Sequence, residues 1–139
     1  MKKYEGSCGC GSIEYSFEGE PASSAFCYCK ECQVHTGSDK WFGLWVPEDK
    51  FTFTKGKPVL FTRVGDSGSD VKMLFCGDCG TTLCGKVEVI GIYTVGASTV
   101  KNSHNFSPKM AIYAASAPSW ALFPEGVPKF DILPPDLGA

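Results

Sequence analysis

Three thiols within six residues, those of Cys27, Cys29 and Cys32, are the side chains of this chain best suited to metal chemistry. Four thiolates close the tetrahedral shell of a zinc ion, whereas three leave one position for water or a substrate. If Cys27 and Cys29 lie on a strand, their side chains share one face, and a turn can bring Cys32 to the same point. A thiol bound at the open position would be held as a thiolate near neutral pH.

Four further cysteines form two pairs, one near the start of the chain and one past the middle: Cys8 and Cys10, Cys76 and Cys79. The second pair has C-x-x-C spacing and precedes Gly80, which suits a position of positive φ that offers an N–H to sulfur. Together the pairs would make a closed four-sulfur site, so the sequence predicts two metal sites. Two alternatives stay open. The triplet could recruit one cysteine of a pair, or the C-x-x-C could be a redox pair, which normally requires a helix N-terminus in a βαβ setting.

The eighth cysteine and the two histidines have weaker patterns. Cys84 has no neighbouring cysteine at ligand spacing, and we expect a buried free thiol. His35 could complete a shell of three cysteines and one histidine, or donate a proton, but we expect an exposed or hydrogen-bonded ring. His104 lies in a polar loop, where we expect it to be solvated.

The composition excludes several classes of protein. The chain has 139 residues, 43% of them hydrophobic and 20% charged, which predicts one globular domain over residues 1–139. A net charge of -2 without a basic run gives no reason to expect a nucleic-acid partner. No apolar run is long enough to span a membrane. The first residues lack the apolar stretch of a secretory signal, so we expect a cytoplasmic location, where clustered cysteines are more often metal ligands than disulfides.

The elements that position these residues are mostly strands. Short alternating segments separated by Gly and Pro predict a mainly-β fold, with strands at residues 11–18, 22–29, 41–46, 51–54, 59–64, 71–75, 81–86, 87–95 and 110–113. A loop is expected over 65–70. A helical turn is expected over 30–35, stopped by Gly37. The proline-rich end, residues 118–135, is expected to be irregular.

The ordered cysteine segments resemble a known family. Residues 6–13, residues 27–32 with Gly37 behind them, and residues 75–81 are similar to the glutathione-dependent formaldehyde-activating enzyme family, which includes centromere protein V-like proteins. The resemblance runs from about residue 6 to residue 83, and residues 123–128 also fit. It implies a β-tent fold of packed antiparallel sheets, two zinc ions per chain, and a carbon–sulfur lyase that resembles S-(hydroxymethyl)glutathione synthase.

The resemblance also implies roles for individual cysteines. One set matches the structural zinc ligands of the family: Cys8, Cys10, Cys76 and Cys79. A second set matches the catalytic zinc ligands: Cys27, Cys29 and Cys32. The chain departs from the pattern at Gln33, because many members carry a basic residue after the last cysteine of the triplet.

The leading hypothesis is an enzyme that adds a glutathione-like thiol to formaldehyde or a small aldehyde, or reverses that addition. His35, Tyr28 or water would supply the proton that the new alkoxide needs. The cations that could contact the carboxylates of such a thiol are Lys30, Lys40, Arg63 and Lys72. The alternative is a non-catalytic zinc-binding or thiol-binding interaction module. Replacing Cys32 by Ser would unfold a structural site but only silence a catalytic one.

Overall fold

The computed structural model describes residues 1–65 and 68–135, and over these ranges the chain is mainly β. The strands are β1 Lys3–Ser7, β2 Glu14–Glu18, β3 Ser23–Cys27, β4 Trp41–Pro47, β5 Phe51–Lys55, β6 Val59–Val64, β7 Asp70–Phe75, β8 Thr82–Val87, β9 Ile92–Gly96 and β10 Met110–Ile112. The one α-helix described is α1, Lys30–Thr36. Short 3-10 turns lie at Glu48–Lys50, Glu88–Ile90, Ala97–Thr99, Ser103–Asn105 and Ala114–Ser116.

The chain divides into two compact units. The first unit comprises Met1–Ser23 and Leu44–Phe106, and the second comprises Ser24–Gly43 and the chain from Ser107 onward. The single domain expected over residues 1–139 stays a prediction. The expected mainly-β architecture is confirmed, with two sheets, one short helix and 3-10 turns. Among the described residues, none of the helices has the length and apolar composition that crossing a bilayer would need.

The first unit holds a three-stranded sheet of order β1-β2-β5 and strands of the second sheet in the order β4-β9-β8-β7-β6. The pairs β1–β2, β2–β5, β6–β7, β7–β8 and β8–β9 are all antiparallel. Stacked rings join the two layers, because Phe51 of β5 packs on Tyr15 of β2 at 5.1 Å and on Tyr93 of β9 at 4.4 Å between ring centroids. Tyr15 and Phe17 are completely buried, so β2 provides the centre of this core.

In the second unit, β3 leads through α1 into the start of β4, and β10 pairs with β3 in parallel. This parallel pair departs from the expected antiparallel sheets, as does the isolated parallel bridge between Ala111 and Lys129. Residues 118–135 contain no named helix or strand, as predicted, but they run beside β10. The Ala111 N–H donates to the carbonyl of Pro128, and the Phe130 N–H donates back to Ala111.

One predicted strand is interrupted, another ends early because β3 stops at Cys27, and one observed strand was not predicted. The single strand expected over 87–95 is interrupted by the 3-10 turn Glu88–Ile90 and by Gly91, whose φ is +66°. Strand β1 was not predicted, because its sequence shows no alternation of apolar residues. In the loop expected over 65–70, Asp66 and Ser67 lie outside the described residues.

Candidate metal centres

Four cysteines of the first unit meet where two hairpin loops converge. The β1–β2 loop and the β7–β8 loop bring four sulfur atoms within 4.8 Å of one another: Cys8, Cys10, Cys76 and Cys79. We call this set the four-cysteine cluster. The two loops are 66 residues apart in sequence, as measured between Cys10 and Cys76. The cluster therefore joins two hairpins that the chain does not connect locally.

Each loop contains a backbone turn closed by a glycine N–H, three residues after Cys8 in one loop and four residues after Cys76 in the other. The Gly11 N–H donates to the carbonyl of Cys8 at 3.2 Å, and the Gly80 N–H donates to the carbonyl of Cys76 at 2.8 Å. Both glycines have positive φ, +79° and +78°, a conformation that only glycine adopts without strain. The positive φ expected at Gly80 is thus present. Its N–H, expected to contact sulfur, instead closes the turn.

Other backbone N–H groups point at the sulfurs. The Ile13 N–H donates to Cys8 Sγ at 3.3 Å, and the Asp78 N–H donates to Cys76 Sγ at 3.4 Å. Hydrogen bonds of this kind stabilise the thiolate form and orient the sulfur lone pairs. Each loop therefore places one sulfur against its own backbone.

Two hydroxyl groups also contact the cluster, and the sequence analysis did not identify them. Ser12 Oγ lies 3.1 Å from Cys10 Sγ and 3.2 Å from Cys76 Sγ. Thr81 Oγ1 lies 3.2 Å from Cys79 Sγ. Both residues come directly after the turn glycine of their loop, and this position is the signal that could have indicated them. The two hydroxyl groups orient the sulfurs through hydrogen bonds, as hydrogen-bonding partners of metal ligands typically do.

These contacts affect thiol ionisation. Burial acts to raise the pKa of Cys8, but hydrogen bonds from the Ile13 N–H and the Ser12 hydroxyl outweigh it and lower the pKa to about 7. The Thr81 hydroxyl, with backbone N–H groups, lowers the pKa of Cys79 to about 5. At Cys8 and Cys79 the loops therefore favour the thiolate, the form that binds a metal ion. The pKa of Cys10 is instead raised. Hydrogen bonds from Ser12 act to lower this pKa, but burial and the neighbouring thiols of Cys79 and Cys8 outweigh them.

The spacing of the four sulfurs fits zinc. Cys8 Sγ lies 3.7 Å from Cys10 Sγ, and Cys10 Sγ lies 3.8 Å from Cys76 Sγ. A tetrahedral zinc ion with Zn–S bonds of about 2.3 Å requires sulfurs about 3.8 Å apart. The arrangement does not favour the alternative of a C-x-x-C redox pair. Cys76 and Cys79 lie between strands β7 and β8, where they converge with the thiols of two further cysteines.

Three cysteines of the second unit form a separate group. The sulfurs of Cys27, Cys29 and Cys32 lie within 4.8 Å of one another, and we call them the three-cysteine cluster. Among the described residues no further His, Cys, Asp or Glu joins it. Cys27 ends β3, but Cys29 is not on the strand: it is the extended N-cap residue of α1, and its sulfur accepts the Cys32 N–H at 3.3 Å. A strand end and a helix start therefore bring the three sulfurs together.

Without a cation, the crowded sulfurs resist ionisation. The neighbouring Cys29 raises the pKa of Cys27 to about 12, and Cys27, followed by Cys29 and burial, raises the pKa of Cys32. A bound cation would reverse this preference, since coordination deprotonates thiols. The donor set suits zinc, although Cys29 Sγ and Cys32 Sγ are only 3.0 Å apart and must separate to reach the tetrahedral spacing of about 3.8 Å.

Side chains between and after these cysteines fix the segment. Gln33 Nε2 donates to the carbonyls of Tyr28 at 2.9 Å and Ser116 at 3.0 Å. The completely buried Tyr28 donates its hydroxyl to the carbonyl of Leu122 at 3.0 Å. The C-terminal part of the unit thus holds the loop that carries the cysteines. Gln33, which replaces the basic residue expected from the family pattern, has a positioning role here.

The remaining candidates lie outside both clusters. All eight cysteines are free thiols, and Cys84 is completely buried, as expected. His35, on α1, and His104, in the turn Ser103–Asn105, are both exposed, and neither belongs to a cluster. In the second unit the described residues therefore group three cysteine sulfurs, with no fourth His, Cys, Asp or Glu ligand beside them.

Comparison with known proteins agrees with this geometry. A search of curated proteins found no match. A crystal structure of a Rhodobacter sphaeroides protein from the Northeast Structural Genomics programme matches with a TM-score of 0.57 at 18% identity, covering 75% of this chain and 97% of that one, which shows the shared fold. The family model described as glutathione-dependent formaldehyde-activating enzyme matches residues 3–116. Because this match spans most of the sequence and both cysteine clusters, the chain belongs to the glutathione-dependent formaldehyde-activating enzyme family.

Proposed function

We propose that this protein is a zinc-dependent carbon–sulfur lyase that adds a glutathione-like thiol to formaldehyde or a small aldehyde, or reverses that addition. The observation that supports it is the difference in ligand number between the clusters. The four-cysteine cluster has a complete tetrahedral set, whereas the three-cysteine cluster leaves one corner for a ligand from outside. The family description, which names glutathione and formaldehyde, supports the substrate class.

The reaction is an addition without change of oxidation state. The thiol sulfur forms a bond to the aldehyde carbon, the carbonyl π bond breaks, and the thiol proton ends on the former carbonyl oxygen. Zinc held by the three sulfurs would supply a fourth position at which a thiol loses its proton near neutral pH. The cysteines themselves stay ligands throughout, so none of them becomes bonded to substrate carbon.

The chain's own side chains orient this site. Gln33 and Tyr28 fix the cysteine segment through hydrogen bonds to backbone carbonyls, which keeps the open corner in place. Tyr28 is removed as a proton donor, because its buried hydroxyl is committed to Leu122 and burial raises its pKa. Exposed His35 and water remain the candidate proton donors.

Some of the cations expected to contact a carboxylate of the thiol are already paired with carboxylates of the protein. Lys40 donates to both carboxylate oxygens of Asp39, and Lys72 donates to Glu88 at 2.7 Å. Lys30 is exposed and directly follows Cys29 at the start of α1. Arg63 lies on β6 of the first unit, whereas the three-cysteine cluster belongs to the second unit. We therefore assign Lys30 as the side chain that contacts an anionic thiol substrate.

The test combines metal content with thiol chemistry. Elemental analysis of purified protein should give two zinc ions per chain, and excess glutathione should perturb only one of them. NMR exchange measurements should show thiol–formaldehyde adduct forming faster than in buffer. Cys32→Ser should abolish this acceleration while the protein stays folded. Cys84→Ala, a cysteine replacement outside both clusters, is the matched control and should retain it.

Two outcomes would contradict the proposal. A rate no greater than the spontaneous reaction, with two zinc ions bound, would favour a non-catalytic zinc-binding module. Unfolding of Cys32→Ser with loss of both zinc ions would make the three-cysteine cluster a second structural site.

A further inference from the structure

The most exposed apolar strand of the first unit is β6. Four of its six residues are large, apolar and between 43% and 67% exposed: Val59, Leu60, Phe61 and Val64. Exposed positions on both faces are unusual, since a strand normally buries one face. A contiguous apolar patch of this kind marks an interaction surface more often than a solvated one.

Strand β6 is also the last strand in its sheet. It pairs with β7 on one side, and no described strand pairs with its other side. Natural edge strands are commonly protected by lysine, proline or a bulge. β6 contains no lysine or proline, its register with β7 is unbroken, and its one charged residue is Arg63.

The hairpin register shows which backbone groups point to the open side. The Gly65 N–H donates to the Ser69 carbonyl, so this pair is hydrogen-bonded. In an antiparallel ladder, hydrogen-bonded pairs alternate with pairs that are not hydrogen-bonded. Two and four residues before Gly65, Arg63 is opposite Val71 and Phe61 is opposite Met73. Arg63 and Phe61 therefore direct their N–H and C=O groups toward β7. Residues 60, 62 and 64 therefore direct theirs outward.

The geometry points to a second copy of this chain as the partner, paired antiparallel through β6 with Thr62 opposite Thr62 of the second copy. In this register Leu60 is opposite Val64 of the second copy and Val64 is opposite Leu60, so every outward-facing residue of the strand finds a ladder partner. Neighbouring registers bring Pro58, which has no N–H, or loop residues beyond Gly65 into the ladder.

Side chains are complementary in the same register. Phe61 of each copy is opposite Arg63 of the other in a pair without ladder hydrogen bonds, where side chains approach closely and a guanidinium can lie against a ring. The Arg63 Nε atom is buried without a hydrogen-bond partner, so this end of the guanidinium is already shielded from water. No charged residue faces a like charge.

The complementary pair of Phe61 and Arg63 favours a second copy over a foreign strand, because β6 supplies both members of the pair. A strand that repeats its own pattern under a two-fold axis forms every contact twice, which is the usual geometry of a homodimer. The pairing is independent of the proposed lyase activity, because β6 carries no cysteine.

The first experiment is analytical ultracentrifugation of the full chain over a range of concentrations. The mass should rise with concentration from 15.0 kDa toward about twice that value. Thr62→Pro removes only an N–H that faces outward, so it should leave the β6–β7 ladder intact and raise the dimer dissociation constant at least about tenfold. A wild-type chain that stays monomeric at every concentration, or a Thr62→Pro variant that dimerises as tightly as wild type, would overturn the inference.

A charge-pair experiment tests the register itself. The double variant Leu60→Lys with Val64→Lys places like charges opposite each other across the dimer and should be monomeric. Leu60→Lys with Val64→Glu places opposite charges there and should restore the dimer. Leu122→Lys, at an 83% exposed apolar residue outside β6, is the matched control and should dimerise normally. Equal dimerisation of the two double variants would exclude the Thr62-centred register.

Discussion

The two cysteine clusters differ in how the chain builds them. The four-cysteine cluster joins two hairpin loops 66 residues apart, whereas the three-cysteine cluster comes from six consecutive positions at one strand end and one helix start. A metal in the first would close a long loop of chain, and a metal in the second would close almost none. The two clusters also differ in the number of ligands: one has four cysteines, a complete tetrahedral set, and the other has three. Under the proposed function, stability and chemistry would therefore be assigned to separate sites.

The largest expected effect is the difference between one serine replacement in each cluster. Cys76→Ser removes a ligand that links two hairpins, and we expect the free energy of unfolding to fall by more than about 4 kcal/mol, or folding to fail. Cys32→Ser removes a partly buried ligand from a local segment, and we expect a change within about 1 kcal/mol. Urea unfolding followed by tryptophan fluorescence measures both.

A control separates metal loss from damage to the core. Ser12→Ala removes a hydroxyl 3.2 Å from Cys76 Sγ but leaves all four sulfurs, so it should retain both zinc ions with a smaller loss, about 1 kcal/mol. Equal destabilisation by Cys76→Ser and Cys32→Ser would remove the distinction between the clusters.

The sequence was sufficient to group the cysteines because ligand spacing is a local pattern with a chemical reason. Pairs and triplets a few residues apart are what a small metal ion requires, and the structure brings the same groups together. The same holds for Gly37, which ends α1 with a φ of +71° as a helix-terminating glycine should. Local rules predict local features well.

Features that depend on distant parts of the chain could not be predicted. Gln33 contacts Ser116, 83 positions away, and nothing near Gln33 indicates this partner. Strand β1 has little apolar content of its own and is ordered by its register with β2, where Tyr4 stacks on Phe17 at 5.1 Å. The parallel pairing of β10 with β3 likewise requires the tertiary fold.

An intermediate effect concerns the ion pair in the unit that carries the three-cysteine cluster. Lys40 Nζ donates to both oxygens of buried Asp39 at 3.1 Å and lies 5.0 Å and 5.5 Å from the ring centroids of Phe26 and Tyr28. Tyr28 is the residue between Cys27 and Cys29. Asp39→Asn should therefore lower the free energy of unfolding by about 1–2 kcal/mol, a figure reduced by the partial exposure of Lys40.

The pH dependence of this effect has a definite sign. Burial acts to raise the pKa of Asp39, but hydrogen bonds from Lys40 and Ser38 outweigh it and lower the pKa below its ordinary value of 3.8. A lowered carboxyl pKa contributes stability that is fully present above the unfolded pKa and is lost as the pH falls through the folded pKa. Urea unfolding should separate wild type from Asp39→Asn at pH 7, and the separation should shrink below about pH 4. A separation independent of pH would rule out the ion pair as its cause.

The smallest expected effect compares one glycine beside each cluster. Gly80 and Gly37 have φ values of +78° and +71°, and a Cβ at either position would meet no atom within 4 Å. Alanine at each position should therefore cost about 1 kcal/mol of backbone strain and nothing from crowding. The two variants have matched chemistry, so any further difference between them reports on the neighbouring cluster.

We expect this further difference in two measurements, the rate of zinc release to a chelator and the rate of the thiol–formaldehyde reaction. The Gly80 N–H closes the loop at Cys76, so Gly80→Ala should speed release of the more tightly held zinc to a chelator and leave the thiol–formaldehyde rate unchanged. The Gly37 N–H donates to the carbonyl of Gln33 at 2.9 Å, so Gly37→Ala should loosen the end of α1 and lower that rate severalfold without affecting the tightly held zinc. If both variants altered the same zinc ion, the two clusters would be coupled, and the separation of stability from chemistry would have to be abandoned. Opposite responses would show that each loop serves only its own cluster.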